Sequence, residues 1–76
     1  MKKQYKVTIM LRPGILDNAG KAVTKALNGL GFTEVKDVKI GKSIYITTEY
    51  NIEDIVKHLY NEVMENYEIQ CLDDVD

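Results

Sequence analysis

Two kinds of hydrophobic repeat follow one another along the first third of the chain. Over residues 4–11, apolar side chains occupy every second position, which is the repeat of a strand with one buried face. From Asn18 onward the repeat becomes that of an amphipathic helix, and Gly31 is suited to end it in the left-handed region. The apolar stripe of this helix consists of Ala19, Ala22, Val23, Ala26, Leu27 and Leu30.

The next part of the chain has the pattern of an antiparallel hairpin. Residues 35–40 form a second apolar segment, and residues 44–48 are rich in β-branched and aromatic side chains. Gly41, Lys42 and Ser43 lie between them and form a short turn with one glycine. We therefore expect two paired strands with Lys42 at the tip of the turn.

A second helix and a last strand complete the chain. Asn51 is a suitable helix cap, and the apolar repeat that follows it extends as far as Met64. Alternation then resumes with Tyr67, Ile69 and Cys71. The predicted order of elements is therefore β-α-β-β-α-β.

This order predicts a single α+β domain spanning residues 1–76. Each strand-helix-strand unit favours a right-handed crossover, which gives a sandwich of four antiparallel strands with two helices on one face. The other face of the sheet has no cover. The side chains expected on that face are Lys6, Thr8, Met10, Tyr45 and Thr47.

The turn that joins the first strand to the first helix is the most specific segment of the sequence. The residues that shape it are Pro13, Gly14, Asp17 and Gly20. Pro13 fixes its own φ, Gly14 tolerates a positive φ, and Asp17 can accept hydrogen bonds from the first amides of the helix. Arg12 and Lys21 are thereby held close to the turn and to the start of the helix.

Arg12, Lys21 and Lys42 form the candidate contact site, because two loop ends of a four-stranded sheet can lie at the same edge. Such a group of cations would suit a carboxylate or a phosphate. Alternatively, Arg12 and Lys21 pair with neighbouring acids and only stabilise the turn, at about 0–1 kcal/mol for each exposed pair. The acids in question are Asp17, Glu34 and Asp37.

Charge and composition argue against several classes of partner. Ten basic and twelve acidic side chains give a net charge of -2, so no general attraction to nucleic acid is expected. No run of 18 apolar residues is present, so we expect no membrane partner. A single cysteine is typical of a reducing compartment, which predicts a cytoplasmic location. At 76 residues the core is small, which favours self-association.

Catalytic and cofactor chemistry find little support in the sequence. His58 and Cys71 are the sole histidine and cysteine, and they lie on different predicted elements. One histidine and one cysteine cannot form a tetrahedral metal site. The tripeptide at residues 41–43 resembles the end of a phosphate-binding loop, but a strand follows it and not a helix. We expect no catalytic residue, metal or cofactor on this chain.

Several blocks of sequence, in this order, resemble the PurS family, the small subunits of phosphoribosylformylglycinamidine synthase. The two most specific are Leu-Arg-Pro-Gly-Ile-Leu-Asp at residues 11–17 and Gly-Lys-Ala-Val at residues 20–23. Leu-Gly-Phe at 30–32, Val-Lys-Ile-Gly-Lys at 38–42 and Asn-Tyr-Glu-Ile at 66–69 extend the resemblance over nearly the whole chain. Asn18 replaces a proline that is common in the family, and asparagine also suits a helix start.

The resemblance implies a non-catalytic subunit of a carbon-nitrogen ligase that takes its nitrogen from glutamine. The complex converts formylglycinamide ribonucleotide to formylglycinamidine ribonucleotide in purine biosynthesis. A glutaminase subunit, PurQ, releases ammonia, and a synthetase subunit, PurL, uses ATP and Mg²⁺. PurS bridges the two as a homodimer or higher homo-oligomer, so ATP and Mg²⁺ are expected on the partner and not on this chain.

Two hypotheses about surfaces follow from this resemblance. The open sheet face or the edge strands would form the self-interface, while the loop from Arg12 to Lys21 and the turn at Lys42 would contact a larger subunit. An alternative is a regulatory domain of the ACT type, which has the same order of elements and binds a small ligand. In that case Arg12, Asp17 and Lys21 would hold a zwitterion such as an amino acid.

Overall fold

A three-stranded antiparallel sheet forms the centre of the computed structural model, which describes residues 2–75 and the side chains of residues 2–72. Its strands are β1 (Lys2–Leu11), β2 (Lys42–Thr48) and β3 (Glu65–Val75), in the order β2-β1-β3. Helix α1 (Asn18–Gly29) lies between β1 and β2, and helix α2 (Ile52–Val56) lies between β2 and β3. An α+β fold with an antiparallel sheet and two helices is therefore confirmed.

The core is small and lies between the sheet and α2. Val7 and Ile9, two residues apart on β1, point to the same face and are 0% and 1% exposed. Ile52 and Val56, one turn apart on α2, pack against them. Around these four residues lie the partly buried side chains of Tyr5, Ile44, Ile46, Leu59, Tyr60 and Ile69.

The opposite face of the sheet is open and carries both polar and apolar side chains, which is the mixed surface that the sequence predicts. Lys6 pairs with Tyr45 and Thr8 pairs with Ser43, so these side chains share the face that points away from the core. Tyr45 is 61% exposed. Among the residues described, no buried side chain of a helix packs against this face.

The prediction of a fourth strand at residues 35–40 was wrong. This segment, which we call the strap, runs along α1 and is hydrogen-bonded to it at both ends. Asn28 Nδ2 donates to the carbonyl oxygen of Val35 at 3.0 Å, and the Ile40 N–H donates to Asp17 Oδ2 at 2.9 Å. Side chains of α1 and its cap therefore take backbone groups that a strand would pair with a neighbouring strand.

Because the strap does not fold back onto β2, the predicted hairpin is absent. Lys42 is the first residue of β2 and pairs with Ile9 of β1. The chain therefore passes from the strap directly into the sheet. Lys42 lies at the start of a strand and not at the tip of a turn.

The second helix is shorter than its apolar repeat predicts. It ends at Val56. The amides of His58 and Leu59 then donate to carbonyl oxygens three residues earlier in the chain, as in a tightened last turn. Asn61 Oδ1 then accepts the Val63 N–H at 2.9 Å. An asparagine that binds the local backbone in this way competes with the helix, so the repeat up to Met64 does not become helical.

Helix α1 has the predicted bounds. Asp17 caps its start, and Gly31 follows its end with φ 105°. The Phe32 N–H donates to the Leu27 carbonyl at 3.0 Å and the Gly31 N–H to that of Asn28 at 3.1 Å, which is the Schellman arrangement. The sequence signals at both ends of this helix are therefore confirmed.

The position of α1 differs from the prediction of two helices packed on one face. None of its apolar side chains belongs to the buried cluster described above. Together α1 and the strap, residues 18–40, form an arm that extends from the end of the β1-β2 pair. The molecule measures 50 × 26 × 12 Å. Its radius of gyration is 16.1 Å, against about 11 Å for a compact domain of this length.

Across the residues described, no helix is both long enough and apolar enough to cross a membrane.

Candidate functional site

The turn at the end of β1 has the geometry that its sequence predicts. The Ile15 N–H donates to the Arg12 carbonyl at 3.1 Å, which closes a four-residue turn over Pro13 and Gly14. Gly14 has φ +87°, as the third position of a type II turn requires. Pro13 is at the second position, and its ring fixes the φ of Pro13 itself at a value that suits the turn. The turn therefore directs the chain from the sheet into the arm.

Asp17 joins the start of α1 to the end of the strap. One carboxylate oxygen accepts the Gly20 N–H at 2.7 Å and the other accepts the Ile40 N–H at 2.9 Å. The residue is 9% exposed. The hydrogen bond from Ile40, and then that from Gly20, lower the pKa of Asp17 below its ordinary value of 3.8, and the charge of Lys39 adds to them against the cost of burial.

Gly20 allows the strap to approach α1 closely. A Cβ atom at this position would overlap the carbonyl oxygen of Val38 and would lie 2.9 Å from Asp17 Cγ. The loop-shaping role predicted for Gly20 therefore has a definite cause, which is backbone contact with the strap. The helix and the strap pack as one unit because this residue has no side chain.

Arg12 joins the end of β1 to the connection between α2 and β3. Its Nε and Nη2 donate to the Glu62 carbonyl oxygen at 3.1 and 2.8 Å, and its backbone N–H donates to the Met64 carbonyl at 2.8 Å. No ion pair links Arg12 to a carboxylate among the residues described. Its side chain is exposed, so the guanidinium keeps its positive charge at the surface while it orders the loop.

A groove of about 680 Å³ lies between α1 and the strap, and four lysines line it. Lys21 and Lys25 come from α1, and Lys36 and Lys39 come from the strap. Two acids, Asp17 and Asp37, line the same groove. The contact of Asp37 with Lys39, at 3.9 Å between two exposed side chains, is weak. We call these four lysines the basic groove. A surface of this kind favours a carboxylate-bearing or phosphate-bearing partner.

The structure does not bring the three predicted contact residues into one site. Lys21 lines the basic groove, Arg12 lines a second groove of about 280 Å³, and Lys42 lines a third of about 350 Å³ with Leu11. Asp17 lines all three. The cations surround the Asp17 junction on different sides and do not converge on one ligand.

Three lysines of the basic groove were missed by the sequence analysis. Lys25 had a usable signal, because it lies four residues after Lys21 and so shares a face of the helix. Lys36 and Lys39 had none, since their position depends on the strap lying along α1. The groove exists only because residues 35–40 leave the sheet.

His58 and Cys71 are both exposed. His58 follows the end of α2, and Cys71 lies on β3 opposite Tyr5. Within the part of the chain that the structure describes, no three side chains of the types His, Cys, Asp and Glu are grouped so as to hold a metal ion. The described polar groups that meet at one point are the Asp17 carboxylate and the N–H groups of Gly20 and Ile40 that donate to it.

The sequence blocks that shape the turn and the arm belong to a known family. The family described as PurS, phosphoribosylformylglycinamidine (FGAM) synthase, matches residues 4–73. The chain belongs to the PurS family. The match covers β1, the arm, β2, α2 and most of β3, so it includes every residue of the candidate site.

Relatives of known name agree with this assignment. The PurS subunit of FGAM synthase from Methanocaldococcus jannaschii is 38% identical, and the alignment covers 87% of this chain and 93% of that relative. The PurS subunit from Bacillus subtilis is 36% identical over 72 residues, which cover 84% and 86%. In each comparison the similarity therefore covers most of this chain and most of the relative.

Solved structures are similar along nearly the whole chain as well. PurS from Bacillus subtilis has a TM-score of 0.80 and 32% identity, with 96% of this chain and 100% of that chain covered. A chain of the PurLQS structure from Thermotoga maritima has a TM-score of 0.77 and 26% identity, with 95% and 99% covered. The fold described above is thus the fold of PurS chains.

Proposed function

We propose that this chain is the PurS subunit of an FGAM synthase, the complex that converts formylglycinamide ribonucleotide to formylglycinamidine ribonucleotide in purine biosynthesis. Its role is assembly: it holds a PurL synthetase and a PurQ glutaminase together so that ammonia passes from one to the other. In this proposal PurL is the subunit that uses ATP and Mg²⁺. The proposal includes a cytoplasmic location, in keeping with the single cysteine.

One observation carries this proposal. The chain matches the PurS family over residues 4–73 and shares its fold with a chain of a solved PurLQS assembly. The residues of the candidate site support it further, because they form contacts and charged grooves at the surface. A subunit whose work is assembly needs such surfaces.

Within this proposal, the basic groove is the contact surface for a larger subunit. Lys21 of α1 and Lys36 of the strap both line it, and an acidic segment of the partner would neutralise them. Arg12 and Lys42 line the two neighbouring grooves and extend the positive surface around Asp17. The arm then acts as the docking element.

The geometry favours this function over an ACT-like ligand site. Both oxygens of the Asp17 carboxylate accept backbone amides and the residue is only 9% exposed, so this carboxylate holds the fold together and little of it is open to a ligand's ammonium group. The Arg12 guanidinium is turned towards the Glu62 carbonyl and away from the basic groove. The two groups expected to hold a zwitterion are therefore engaged within the chain.

Reconstitution of the enzyme tests the proposed function directly. PurL and PurQ from the same organism are combined with and without this chain, and formylglycinamidine ribonucleotide is measured with glutamine, ATP and Mg²⁺ present. We expect glutamine-dependent synthesis to fall to background without the chain, while synthesis from added ammonium salt persists, because PurL retains its own chemistry. Undiminished glutamine-dependent synthesis without the chain would contradict the proposal.

Charge reversal in the basic groove is expected to weaken assembly and leave the fold intact. The double variant Lys36→Glu/Lys39→Glu should raise the dissociation constant for the larger subunit roughly tenfold or more, because like charges then face the acidic partner. The matched control is Lys57→Glu, because Lys57 is an exposed lysine just after α2 that pairs only weakly with Asp54 at 3.9 Å. Equal binding by both variants, measured by sedimentation with PurL and PurQ, would place the contact elsewhere.

A further inference from the structure

The basic groove has the dimensions of a small-molecule site. Its volume of about 680 Å³ lies within the range of ligand pockets, about 300–1,000 Å³. Its two walls meet at two places: the backbone of Gly20 lies against the Val38 carbonyl, and Asn28 Nδ2 donates to the Val35 carbonyl at 3.0 Å. At about 1.5 Å per residue, these contacts lie about 12 Å apart along α1. The groove is therefore shaped before any ligand enters it, which lowers the entropic cost of binding.

The lysines of the groove are poorly neutralised within the chain. The ammonium groups of Lys21 and Lys25 form neither an ion pair nor a hydrogen bond with another described residue. Of the two acids in the lining, Asp17 is 9% exposed and both of its oxygens accept backbone amides. The other, Asp37, reaches only Lys39, at 3.9 Å. A chain of net charge -2 therefore carries a local excess of positive charge here.

The stability of α1 does not account for these positions. Lys21 lies near the start of α1, where the helix dipole favours an acidic residue, and α1 itself contains no acidic side chain. Lys25 follows four residues later, so two like charges are neighbours on one face of the helix, which destabilises it. An anion in the groove would relieve this repulsion. The arrangement favours a ligand that supplies the missing negative charge.

The order of the lysines along the two walls indicates a ligand with more than one anionic group. Because the strap runs antiparallel to α1 between the two contacts, Lys21 lies towards the same end of the groove as Lys39. Lys25 and Lys36 lie towards the other end. The two pairs are about 6 Å apart along α1, so a chain of phosphate groups can reach both and a single phosphate only one.

The type of cation favours phosphate over carboxylate. Four lysines and no arginine are among the described residues that line the groove. Lysine binds phosphate as a point charge, whereas the planar fork of arginine is the group that matches a carboxylate in two hydrogen bonds. Ile15 and Leu16 line the groove as well and provide an apolar surface beside the cations. That surface suits the organic part of a phosphorylated molecule.

We propose that the basic groove binds a small molecule with a chain of two or more phosphate groups, such as a nucleoside diphosphate or inorganic pyrophosphate. Each of two phosphates pairs with one lysine from α1 and one from the strap. The same lysines are proposed above to meet an acidic segment of a larger subunit. The ligand and that subunit therefore exclude each other from the groove, and this last point alone rests on the proposed function.

Calorimetric titration of the full chain without other subunits tests the site. The probes are ADP, pyrophosphate and inorganic phosphate, at about pH 7 and about 50 mM salt so that screening is weak. We expect ADP and pyrophosphate to bind at one site per chain, with dissociation constants at least about tenfold lower than that of inorganic phosphate. Tighter binding of ADP than of pyrophosphate would identify a nucleotide as the ligand, and equal binding an inorganic phosphate chain.

Two double variants locate the site. Lys25→Gln/Lys36→Gln removes one lysine from each wall, and Lys6→Gln/Lys57→Gln removes the same charge from the open face of the sheet and from the end of α2. The first should raise the dissociation constant for pyrophosphate about tenfold or more, and the second less than about twofold. Circular dichroism establishes that both are folded. Absence of saturable binding by wild type, or equal weakening in the two variants, would overturn the proposed site.

Sedimentation with PurL and PurQ keeps this inference separate from the proposed function. Pyrophosphate at a saturating concentration should lower the fraction of the chain that sediments with the larger subunits, whereas inorganic phosphate at equal ionic strength should not. Binding of pyrophosphate without this loss would place the larger subunit outside the groove and leave the ligand site standing. A chain that assembles normally but binds neither ADP nor pyrophosphate would overturn the ligand site and leave the proposed function standing.

Discussion

Replacing Ile9 with alanine is expected to remove a large share of the free energy of unfolding of this chain, about 2–5 kcal/mol. Ile9 is 1% exposed and belongs to a core of only four buried residues. Truncation of a buried isoleucine to alanine costs about 2–5 kcal/mol. At about 0.05–0.15 kcal/mol per residue, the free energy of unfolding of this chain is roughly 4–11 kcal/mol, so the substitution removes a large share of it.

Urea denaturation followed by circular dichroism, at one fixed protein concentration, measures this effect. The matched control is Leu16→Ala, which removes a similar side chain from a position that is 57% exposed in the loop before α1. It should change the free energy of unfolding by no more than about 0.5 kcal/mol. Equal losses for the two variants would show that the stability of the chain does not reside in the core between the sheet and α2.

The sequence predicts β1 and α1 well because their signals are local and agree with one another. Alternation over residues 4–11 corresponds to β1, and Asp17 and Gly31 have the roles at the ends of α1 that their types favour. Helix caps and turns depend on residues that are near in sequence. A single sequence is sufficient to identify them.

The strap could not be predicted in this way. Residues 35–40 form an apolar segment of the length of a strand, but where their backbone groups bond is decided by Asn28 and Asp17, which lie up to 23 residues away. Periodicity reports which side chains share a face, and it does not report which backbone groups pair. The same limit applies to α2, where Asn61 ends a repeat that otherwise continues.

The candidate site was predicted in part for the same reasons. The shape of the turn at Pro13 and Gly14 and the cap at Asp17 are local, and the structure confirms them. The grouping of Arg12, Lys21 and Lys42 required a hairpin that the chain does not form. Because the strap lies along α1, Lys21 acquires different neighbours, and the positive surface lies on the arm.

The apolar stripe of α1 is not covered by the sheet of the same chain. Its periodicity correctly predicts a helix with one face to bury, and the error lay in assigning that face to the chain's own sheet. The four-residue core and the 12 Å thickness of the molecule both show that a layer is absent within one copy.

Replacing Asp17 with asparagine is expected to remove part of the acid sensitivity of the protein. The hydrogen bonds from Ile40 and Gly20 lower the pKa of Asp17 in the folded chain below its ordinary value of 3.8. The ionised carboxylate therefore stabilises the fold above that value, and this contribution is lost as the pH falls from about 3.8 through the lower pKa of the folded state. An asparagine does not titrate, so the variant should be less stable than wild type at pH 7 and should lose less stability between pH 5 and pH 3.

The substitution also separates the two bonds that Asp17 makes. Asparagine has one carbonyl oxygen, so it can still cap α1 through the Gly20 N–H but cannot also accept the Ile40 N–H. In hydrogen exchange at pH 7, we expect the Ile40 amide to lose protection while the Gly20 amide keeps it, and both to lose it in Asp17→Ala. Asp37→Asn is the control, because that carboxylate lies on the strap, is 72% exposed and makes only the 3.9 Å contact with Lys39. If Asp17→Asn and Asp37→Asn had the same pH profile as wild type, with Ile40 equally protected in all three, Asp17 would not be the group that holds the strap to the helix.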